Sequence, residues 1–200
     1  MLHAICCDLE GVFVPEVWIN VAKKTGIEEL KLTTRDINDY DVLMKKRIAI
    51  LKEHNLTLKD IQDVIDTLEP LEGALDFLRW MKEISRVFIV SDTFVEFADP
   101  LMKKLERPTL LCNYLSVNGN GMVTDYHLRQ PDQKRMVVKA LQGLKYKVIA
   151  FGDSYNDISM IQQAEQGILY CPPDNVIADY PQFPVTKNYS QLKEEIKKHL

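Results

Sequence analysis

The chain has 200 residues, of which 46% are hydrophobic and 27% are charged, and its formal net charge at pH 7 is −4. These values suit one globular domain, or a core with a small insert, and they exclude global disorder. The acidic balance argues against a broad nucleic-acid-binding face, and no apolar run is long enough for us to expect a membrane-spanning helix.

The cysteines form no CxxC motif and no zinc-like pattern with histidine; they are Cys6, Cys7, Cys112 and Cys171. We therefore expect reduced structural thiols rather than disulfides. Residues 1–8 lack the basic region of a signal peptide and reach the acid Asp8 early. A reducing, cytoplasmic location is the default expectation.

The predicted elements begin with a buried strand over residues 2–7. From Pro15 to Pro70 the sequence is charge-rich, with apolar residues at helical spacing and no convincing strand. Thr57 is a candidate N-cap for one of its helices. We expect a helical insert over residues 15–70, between the first strand and the rest of the sheet.

From residue 71 onward, short apolar runs alternate with amphipathic segments. Strands are predicted at residues 87–90, 148–151 and 167–170, and helices at 72–84, 95–105, 133–141, 154–163 and 191–200. This alternation predicts an α/β fold with a parallel sheet flanked by helices. The turn sequence Asn118-Gly119-Asn120-Gly121 between two strand-like segments predicts a short β-hairpin insertion.

Acidic and polar motifs stand where the predicted strands end. Asp8-Leu9-Glu10-Gly11 follows the first strand, Ser91-Asp92-Thr93 the second, and Gly152-Asp153-Ser154-Tyr155-Asn156-Asp157 the third. Parallel strands place ligands at their carboxyl ends, so we expect these side chains to lie together. Taken singly, each motif also fits a solvated turn or a helix cap, and Lys134 alone fits a surface charge.

Together, the motifs predict a phosphoryl site. Four carboxylates, those of Asp8, Glu10, Asp153 and Asp157, would repel one another unless a divalent cation and Lys134 neutralised them. Mg²⁺ prefers carboxylate and water ligands. A cation, a lysine, a hydroxyl and backbone donors suit an anionic phosphoryl group, and two of the acids could serve as nucleophile and proton donor.

This ordered set of motifs resembles the haloacid dehalogenase (HAD) superfamily of phosphotransferases. The chain is most similar to the phosphoserine phosphatase branch, and within it to the bifunctional subgroup that also passes phosphate from phosphoserine to homoserine. The narrower likeness is carried by Pro15-Glu16, Thr34-Arg35-Asp36, Asp39-Tyr40-Asp41-Val42-Leu43-Met44, Ser91-Asp92-Thr93-Phe94, Pro100-Leu101-Met102 and Pro181-Gln182-Phe183-Pro184. The resemblance implies a Rossmann-like core of residues 1–14 and 71–200, and a C1 cap domain of residues 15–70.

The resemblance also implies roles for the acids. Asp8 would be the nucleophile and form an aspartyl-phosphate. Glu10 would be the general acid/base, protonating the leaving serine oxygen and then activating water. Mg²⁺ would be held by Asp8, the backbone carbonyl of Glu10 and Asp153, with Asp157 in support.

The remaining implied roles concern the substrate. Ser91, the N–H of Asp92 and Lys134 would bind the phosphoryl oxygens, and Asn156 would help to orient Lys134 or the substrate. Glu16 and Arg47 match the positions that grip the amino acid, with Glu16 on the ammonium and Arg47 on the carboxylate. Without the resemblance, Arg47 would be assigned to a solvated helix face.

Two positions depart from the common pattern of the superfamily. Glu10 replaces the second aspartate of the first motif, as it also does in the bifunctional subgroup. We expect its longer side chain to slow water attack on the phosphoenzyme and leave time for an alcohol acceptor. Ser91-Asp92-Thr93 replaces a serine followed by glycines, and its bulkier residues would narrow the phosphate pocket or bias the acceptor.

The sequence therefore predicts a Mg²⁺-dependent phosphoserine phosphatase, with phosphotransfer to homoserine as a second activity to be tested. Its expected partner is a small-molecule substrate, with no nucleic acid and no membrane. Three alternatives remain: a HAD phosphatase for another small phosphomonoester, a catalytically silent HAD-like binding protein with Glu10 as the lesion, and a response-regulator receiver. A receiver normally carries its phosphoacceptor on a later strand and has no helical insert.

Overall fold

The computed structural model describes residues 2–33, 36–37 and 39–200. Thr34 and Arg35, which belong to one of the stretches that carry the resemblance, lie outside the described residues. The described part contains one seven-stranded sheet of order β4-β3-β2-β1-β5-β6-β7. Its strands are β1 (His3–Cys7), β2 (Arg86–Phe94), β3 (Thr109–Val117), β4 (Val123–His127), β5 (Lys147–Gly152), β6 (Gln166–Tyr170) and β7 (Val185–Thr186).

Helices connect most of these strands. They are α1 (Val17–Thr25), α2 (Tyr40–Glu53), α3 (Leu58–Asp66), α4 (Ala74–Ile84), α5 (Val95–Lys104), α6 (Gln133–Gly143), α7 (Ile158–Gln163), α8 (Asp174–Asp179) and α9 (Tyr189–Lys197), with 3₁₀ turns at Glu28–Lys31 and Tyr155–Asp157. Neighbouring strands are parallel except for β3 and β4, which are antiparallel. The predicted α/β fold with a parallel sheet and a β-hairpin is confirmed.

The central strand β1 is buried on both faces. Ile5 and Cys7 belong to one apolar cluster, whereas Ala4 and Cys6 belong to another, because successive side chains of a strand point to opposite faces. Helices cover both faces of the sheet, so after His3 every residue of the strand is buried and apolar rather than alternating with polar residues.

Helices α1, α2 and α3 form the insert between β1 and α4, and they pack against the core. The Trp18 ring meets Phe97 of α5 edge-on, with 5.4 Å between ring centroids. The amide of Gln62 donates to the Glu96 carbonyl at 2.7 Å. Thr57 caps α3 in a reciprocal capping box with Asp60, which is the helix start that the sequence predicts.

The strand register brings the predicted motifs to one edge of the sheet. Cys7, the last residue of β1, pairs with Ile89 of β2 and with Phe151 of β5. The backbone N–H of Asp8 then donates to the Phe151 carbonyl at 3.2 Å. The first and third motifs therefore leave the sheet side by side.

Two element boundaries differ from the sequence prediction. Strand β2 does not end at Val90; it continues to Phe94, with an irregular register between these residues, because pairing with β3 resumes between Phe94 and Asn113. Ser91-Asp92-Thr93 is therefore part of the strand rather than a turn after it. The predicted helix over residues 154–163 is divided into the 3₁₀ turn Tyr155–Asp157 and α7.

None of the described helices combines the length and the apolar character needed to cross a membrane. All of the cysteines are free thiols, with Cys171 exposed and the others buried. Burial raises the pKa of Cys6 to about 12, so this thiol stays protonated at neutral pH.

Candidate active site

The site is organised around Lys134, which is only 2% exposed. Its Nζ lies 2.7 Å from Asp157 Oδ1, 3.0 Å from Asp8 Oδ1 and 3.7 Å from Asp92 Oδ2. Burial opposes the charged ammonium, but the carboxylates of Asp157, Asp8 and Asp92 outweigh it and raise the pKa of Lys134 well above its usual value. Lys134 is therefore a permanent buried cation.

Asp8 follows the last residue of β1 and is 5% exposed. Its Oδ1 accepts a hydrogen bond from the N–H of Leu9 at 2.8 Å, which fixes the carboxylate at the strand end. Burial and the nearby carboxylates of Asp157 and Asp153 raise the pKa of Asp8 well above its usual range, against the opposing effect of Lys134. One lysine does not offset the negative charge gathered here.

The turn after β5 supplies two further acids. Asp157 is fully buried, and its Oδ2 accepts from the backbone N–H groups of Asp153 and Ser154 at 3.0 and 3.2 Å. Gly152 permits this turn, because a Cβ there would lie 2.2 Å from Asp157 Cγ. Burial and Asp157 raise the pKa of Asp153 to about 7.

Three of these acids could hold a metal ion. Carboxylate oxygens of Asp8, Asp153 and Asp157 all lie within 4.8 Å of one another. Gly11 has φ 73°, and a Cβ at this position would lie 2.6 Å from Asp153 Oδ2, so only a glycine leaves room for that carboxylate. Hard oxygen donors that carry excess negative charge fit a divalent cation such as Mg²⁺.

The side chain of Glu10, which also belongs to the first motif, contacts the insert at the start of α1. Its Oε2 accepts from the N–H of Val17, the first residue of α1, at 2.9 Å. Burial and the carboxylate of Glu16 raise the pKa of Glu10 to about 8, although the N–H of Val17 favours the charged form. Glu10 therefore holds a proton at neutral pH in the absence of a cation.

Polar groups at the end of β2 also line the site. Ser91 and Thr93 are buried, and Ser91 Oγ accepts from the N–H of Thr93 at 3.2 Å. The carboxylate of Asp92 accepts from Gln133 Nε2 at 2.9 Å and from Asn156 Nδ2 at 3.0 Å. Asn156 was expected to help orient Lys134 or the substrate; in this structure it contacts Asp92, whose Oδ2 lies 3.7 Å from Lys134 Nζ.

These groups and the insert enclose a cavity of about 200 Å³. The predicted site residues in its wall are Asp8, Glu10, Glu16, Arg47, Ser91, Asp92, Asp153 and Asn156. Lys134 and Asp157 lie directly beneath it, in contact with Asp8 or with each other. The structure therefore brings all of the predicted site residues to one place.

Arg47 enters the cavity from α2 and is 7% exposed. Its Nη2 donates to the Leu32 carbonyl at 2.7 Å, and its guanidinium lies over the Trp18 ring. Among the described residues, its buried Nε has no hydrogen-bond partner. Burial lowers the pKa of Arg47 to about 10, so it remains charged and offers a free donor.

Two residues of the site were missed in the sequence analysis. Gln133 donates through Nε2 to both the Ser91 carbonyl and the Asp92 carboxylate. Tyr40 lines the cavity, and its hydroxyl donates to the Asp92 carbonyl at 3.3 Å. Gln133 precedes Lys134 and Tyr40 opens α2, but nothing in their local sequence shows that either side chain turns inward.

The chain is similar to a known family and to named proteins. The family model for haloacid dehalogenase-like hydrolases matches residues 4–165. The chain is 56% identical over 197 residues to the phosphoserine phosphatase ThrH of Pseudomonas aeruginosa, covering 98% of this chain and 96% of that protein. It is also 56% identical over 190 residues to a phosphoserine phosphatase of Pseudomonas syringae pv. tomato, covering 95% and 80%.

The fold is likewise similar to a solved structure. A crystal structure of phosphoserine phosphatase in its apo form superposes with a TM-score of 0.79, covering 98% of each chain at 22% identity. At that identity the likeness concerns the fold alone.

Proposed function

The chain belongs to the haloacid dehalogenase-like hydrolase family, and we propose that it is a phosphoserine phosphatase, converting O-phospho-L-serine and water into L-serine and phosphate. One observation carries this proposal: a single cavity joins the Asp8 carboxylate to the side chains of Glu16 and Arg47. The Asp8 carboxylate, which can attack phosphorus, thus lies in the same cavity as two groups that suit the ends of an amino acid. The Glu16 anion suits the ammonium group, and the Arg47 cation suits the carboxylate. The names of the two Pseudomonas relatives support the same substrate.

In the first step, an oxygen of Asp8 attacks phosphorus and forms an aspartyl-phosphate while the bond from phosphorus to the serine oxygen breaks. The leaving oxygen needs a proton, and Glu10 supplies it. In the metal-free protein, burial and Glu16 raise the pKa of Glu10 to about 8, which favours the protonated form that this step needs. Serine then leaves as a neutral alcohol.

In the second step, water attacks the phosphorus of the aspartyl-phosphate. Glu10, now a carboxylate, takes a proton from that water as the bond to Asp8 breaks, so the enzyme returns to its starting state. Ser91, the backbone N–H of Asp92 and Lys134 hold the phosphoryl oxygens through both steps. Fixed donors in a buried site stabilise the developing charge because they need no reorganisation.

Mg²⁺ is the proposed cofactor, held by Asp8, the backbone carbonyl of Glu10 and Asp153, with Asp157 in support. When bound, the cation offsets the repulsion between the carboxylates and an incoming phosphoryl group. Lys134 cannot do this alone, because it already faces Asp157 and Asp8. Asp157 also holds Lys134 in place through the 2.7 Å contact.

Residues 15–70 are the proposed cap, and they select the amino-acid part of the substrate. Glu16 pairs with the ammonium group and Arg47 with the carboxylate, through donors that include its free Nε. Asn156 lies beside the phosphoryl end, where it holds Asp92. Enclosing the substrate in this way excludes water until serine has left.

Phosphotransfer to homoserine is a second candidate activity. The relevant observation is that the Glu10 carboxylate is tied to the Val17 N–H at the start of α1. A base held toward the insert is well placed to take a proton from an alcohol bound between Glu16 and Arg47. It is less well placed to activate a free water molecule.

The proposal is tested by measuring phosphate release from L-phosphoserine with and without Mg²⁺, beside a panel of small phosphate esters. We expect a strong, Mg²⁺-dependent preference for phosphoserine. Asp8→Asn should abolish the activity and leave no acid-stable phosphoenzyme after rapid quenching. Addition of homoserine then tests for phosphohomoserine.

Two of the alternatives predict different results. Activity on other esters but not on phosphoserine would retain Asp8 as nucleophile and discard the assignment of Glu16 and Arg47. No activity on any ester would favour the silent binding protein, with Glu10 as its lesion. Asp8→Asn that keeps wild-type activity would refute the covalent mechanism itself.

A further inference from the structure

Asp92 stands between the catalytic cavity and a second, larger one. The second cavity has a volume of about 660 Å³ and is lined by Gln130, Asp132, Gln133, Lys134, Tyr155 and Asn175, among others. Tyr40, Asp92 and Asn156 line both cavities. The side chain of Asp92 is 34% exposed, so its carboxylate meets solvent although it lies beside a buried lysine.

The Asp92 carboxylate is held rigidly. Gln133 donates to one of its oxygens and Asn156 to the other, and Gln133 is fixed in turn by its bond to the Ser91 carbonyl at 2.8 Å. Burial alone would raise the pKa of Asp92, but Lys134, Gln133 and Asn156 lower it below its usual value. The group is therefore a fixed negative charge across the neutral pH range.

This charge adjoins the phosphoryl-binding donors. Asp92 Oδ2 lies 3.7 Å from Lys134 Nζ, and the backbone N–H of Asp92 is itself one of the proposed phosphoryl donors. A phosphate ion bound to these donors competes with the Asp92 carboxylate for Lys134. It also lies close to that carboxylate, which carries charge of the same sign. Like charges at that separation weaken binding, although partial exposure moderates the effect.

Resting on the proposed function, we propose that the Asp92 carboxylate is a positioning group that weakens the binding of inorganic phosphate, so that this product leaves instead of inhibiting the enzyme. Asp92 repels the phosphoryl groups of product and substrate alike, but the substrate makes further contacts that the product lacks. Phosphoserine also binds to Glu16 and Arg47, whereas inorganic phosphate has only the groups of the phosphoryl site, which are Ser91, Lys134, the Asp92 N–H and the proposed Mg²⁺. Repulsion by Asp92 therefore raises the dissociation constants of both ligands by a similar factor, but phosphoserine still binds through its contacts to Glu16 and Arg47.

The test compares three variants of the Mg²⁺-loaded protein. Asp92→Asn removes the charge but keeps the shape, and an amide flip of Asn156 restores both hydrogen bonds. Asp92→Glu keeps the charge. Asp132→Asn removes a different carboxylate from the wall of the second cavity, at a position (φ 49°) that asparagine tolerates well.

Two quantities are measured for each variant: the inhibition constant of inorganic phosphate in phosphoserine hydrolysis, and the dissociation constant of phosphate by titration calorimetry. We expect Asp92→Asn to bind phosphate about tenfold more tightly, and KM for phosphoserine to decrease by a similar factor. Asp132→Asn should stay within about twofold of wild type, because no charge near Lys134 is lost, and Asp92→Glu should bind phosphate no more tightly than wild type does.

An Asp92→Asn variant that binds phosphate no more tightly than wild type overturns the inference. The same conclusion follows if Asp92→Glu matches Asp92→Asn, because shape rather than charge would then be responsible. If Asp92→Asn shows no cooperative thermal transition, Asp92→Ser provides the same loss of charge. Failure of the wild type to hydrolyse phosphoserine would refute the proposed function, while the calorimetric comparison would still decide the role of Asp92.

Discussion

The guanidinium carbon of Arg47 lies 4.6 Å from the centroid of the Trp18 ring. Both residues belong to the insert and both line the catalytic cavity. Stacking on an indole, together with the bond to the Leu32 carbonyl, allows a buried cation to persist where no described carboxylate lies within ion-pair distance. Arg47 is therefore ready to receive the carboxylate of a substrate.

The first prediction concerns Arg47→Lys, which keeps the charge but loses the planar, forked donor and its stacking on Trp18. We expect KM for phosphoserine to rise about 10- to 100-fold, as for the loss of a bidentate carboxylate contact. Hydrolysis of p-nitrophenyl phosphate, which lacks an amino-acid end, should be nearly unchanged. Steady-state kinetics with both substrates provides the measurement.

A matched control for Arg47 is Lys46→Met, since Lys46 is an exposed cation on the same helix. It should leave both substrates unaffected. Equal losses on phosphoserine and p-nitrophenyl phosphate in Arg47→Lys would show that Arg47 supports the fold of the cavity rather than the amino-acid end of the substrate.

The second prediction concerns the length of Glu10. Glu10→Asp shortens the side chain by one methylene, so its carboxylate cannot reach the Val17 N–H in the same way. We expect the ratio of phosphohomoserine to free phosphate, measured at one fixed homoserine concentration, to fall. Glu10→Gln keeps the length but carries no transferable proton, and its kcat should fall about 10²- to 10⁴-fold. An unchanged product ratio in Glu10→Asp would refute the link between side-chain reach and acceptor choice.

The sequence predicted which residues would lie together at the sheet edge, except Gln133 and Tyr40, but it did not predict their contacts. Asp8 and Asp153 could be placed at one edge because both follow predicted strands, and the parallel register then aligned them. Lys134 is unremarkable locally, and only the order of the motifs marked it. That Lys134 is almost fully buried depends on how α6 docks against the sheet, which no local pattern specifies.

The same reasoning explains what the sequence did not predict. The bond from Asn156 to Asp92 joins residues 64 positions apart, and that from Gln133 to Asp92 joins residues 41 apart. Such contacts arise from the packing of side chains between elements, whereas periodicity and turn chemistry report only on neighbours in the chain. The continuation of β2 through Ser91-Asp92-Thr93 likewise depends on its partner strand.

The third prediction concerns pH and the metal-free protein. The folded state raises the pKa of Asp153 from 3.8 to about 7 and that of Glu10 from 4.5 to about 8. The folded protein therefore binds these protons more tightly than the unfolded chain does. The contribution of the two groups to the free energy of unfolding is greatest below about pH 4 and is lost as the pH rises toward 8. With EDTA present, the two groups together lose about 4 kcal/mol of stabilisation between pH 6 and pH 8, so Tm should be about 7–15 °C lower near pH 8 than near pH 6.

Differential scanning calorimetry of the metal-free protein at several pH values measures this pH dependence of Tm. Mg²⁺ should raise Tm more near pH 8 than near pH 6, since protons and the cation compete for the same carboxylates. Asp153→Asn should flatten the pH dependence of the metal-free protein. A Tm that stays constant or increases over this range without metal would contradict the assignment of these raised pKa values.

The last prediction concerns Lys134→Met, which fits the buried stem but removes the charge. The carboxylates of Asp157 and Asp8 then lose their nearest cation in a site that is closed to solvent. We expect the free energy of unfolding of the metal-free protein to fall by about 3–5 kcal/mol, as when one partner of a buried ion pair is removed. Lys139→Met, at an exposed position on the same helix, should change it by less than about 0.5 kcal/mol.

The interaction itself is isolated by a double-mutant cycle with Asp157→Asn. Because Asp157 Oδ1 is the nearest carboxylate oxygen to Lys134 Nζ, removing both charges should restore part of the stability lost in Lys134→Met. Urea denaturation of the four proteins gives the coupling energy, which we expect to exceed about 2 kcal/mol. Strict additivity would mean that Lys134 is stabilised by its packing rather than by its carboxylates, and its proposed role in offsetting charge at the phosphoryl site would then lose its structural basis.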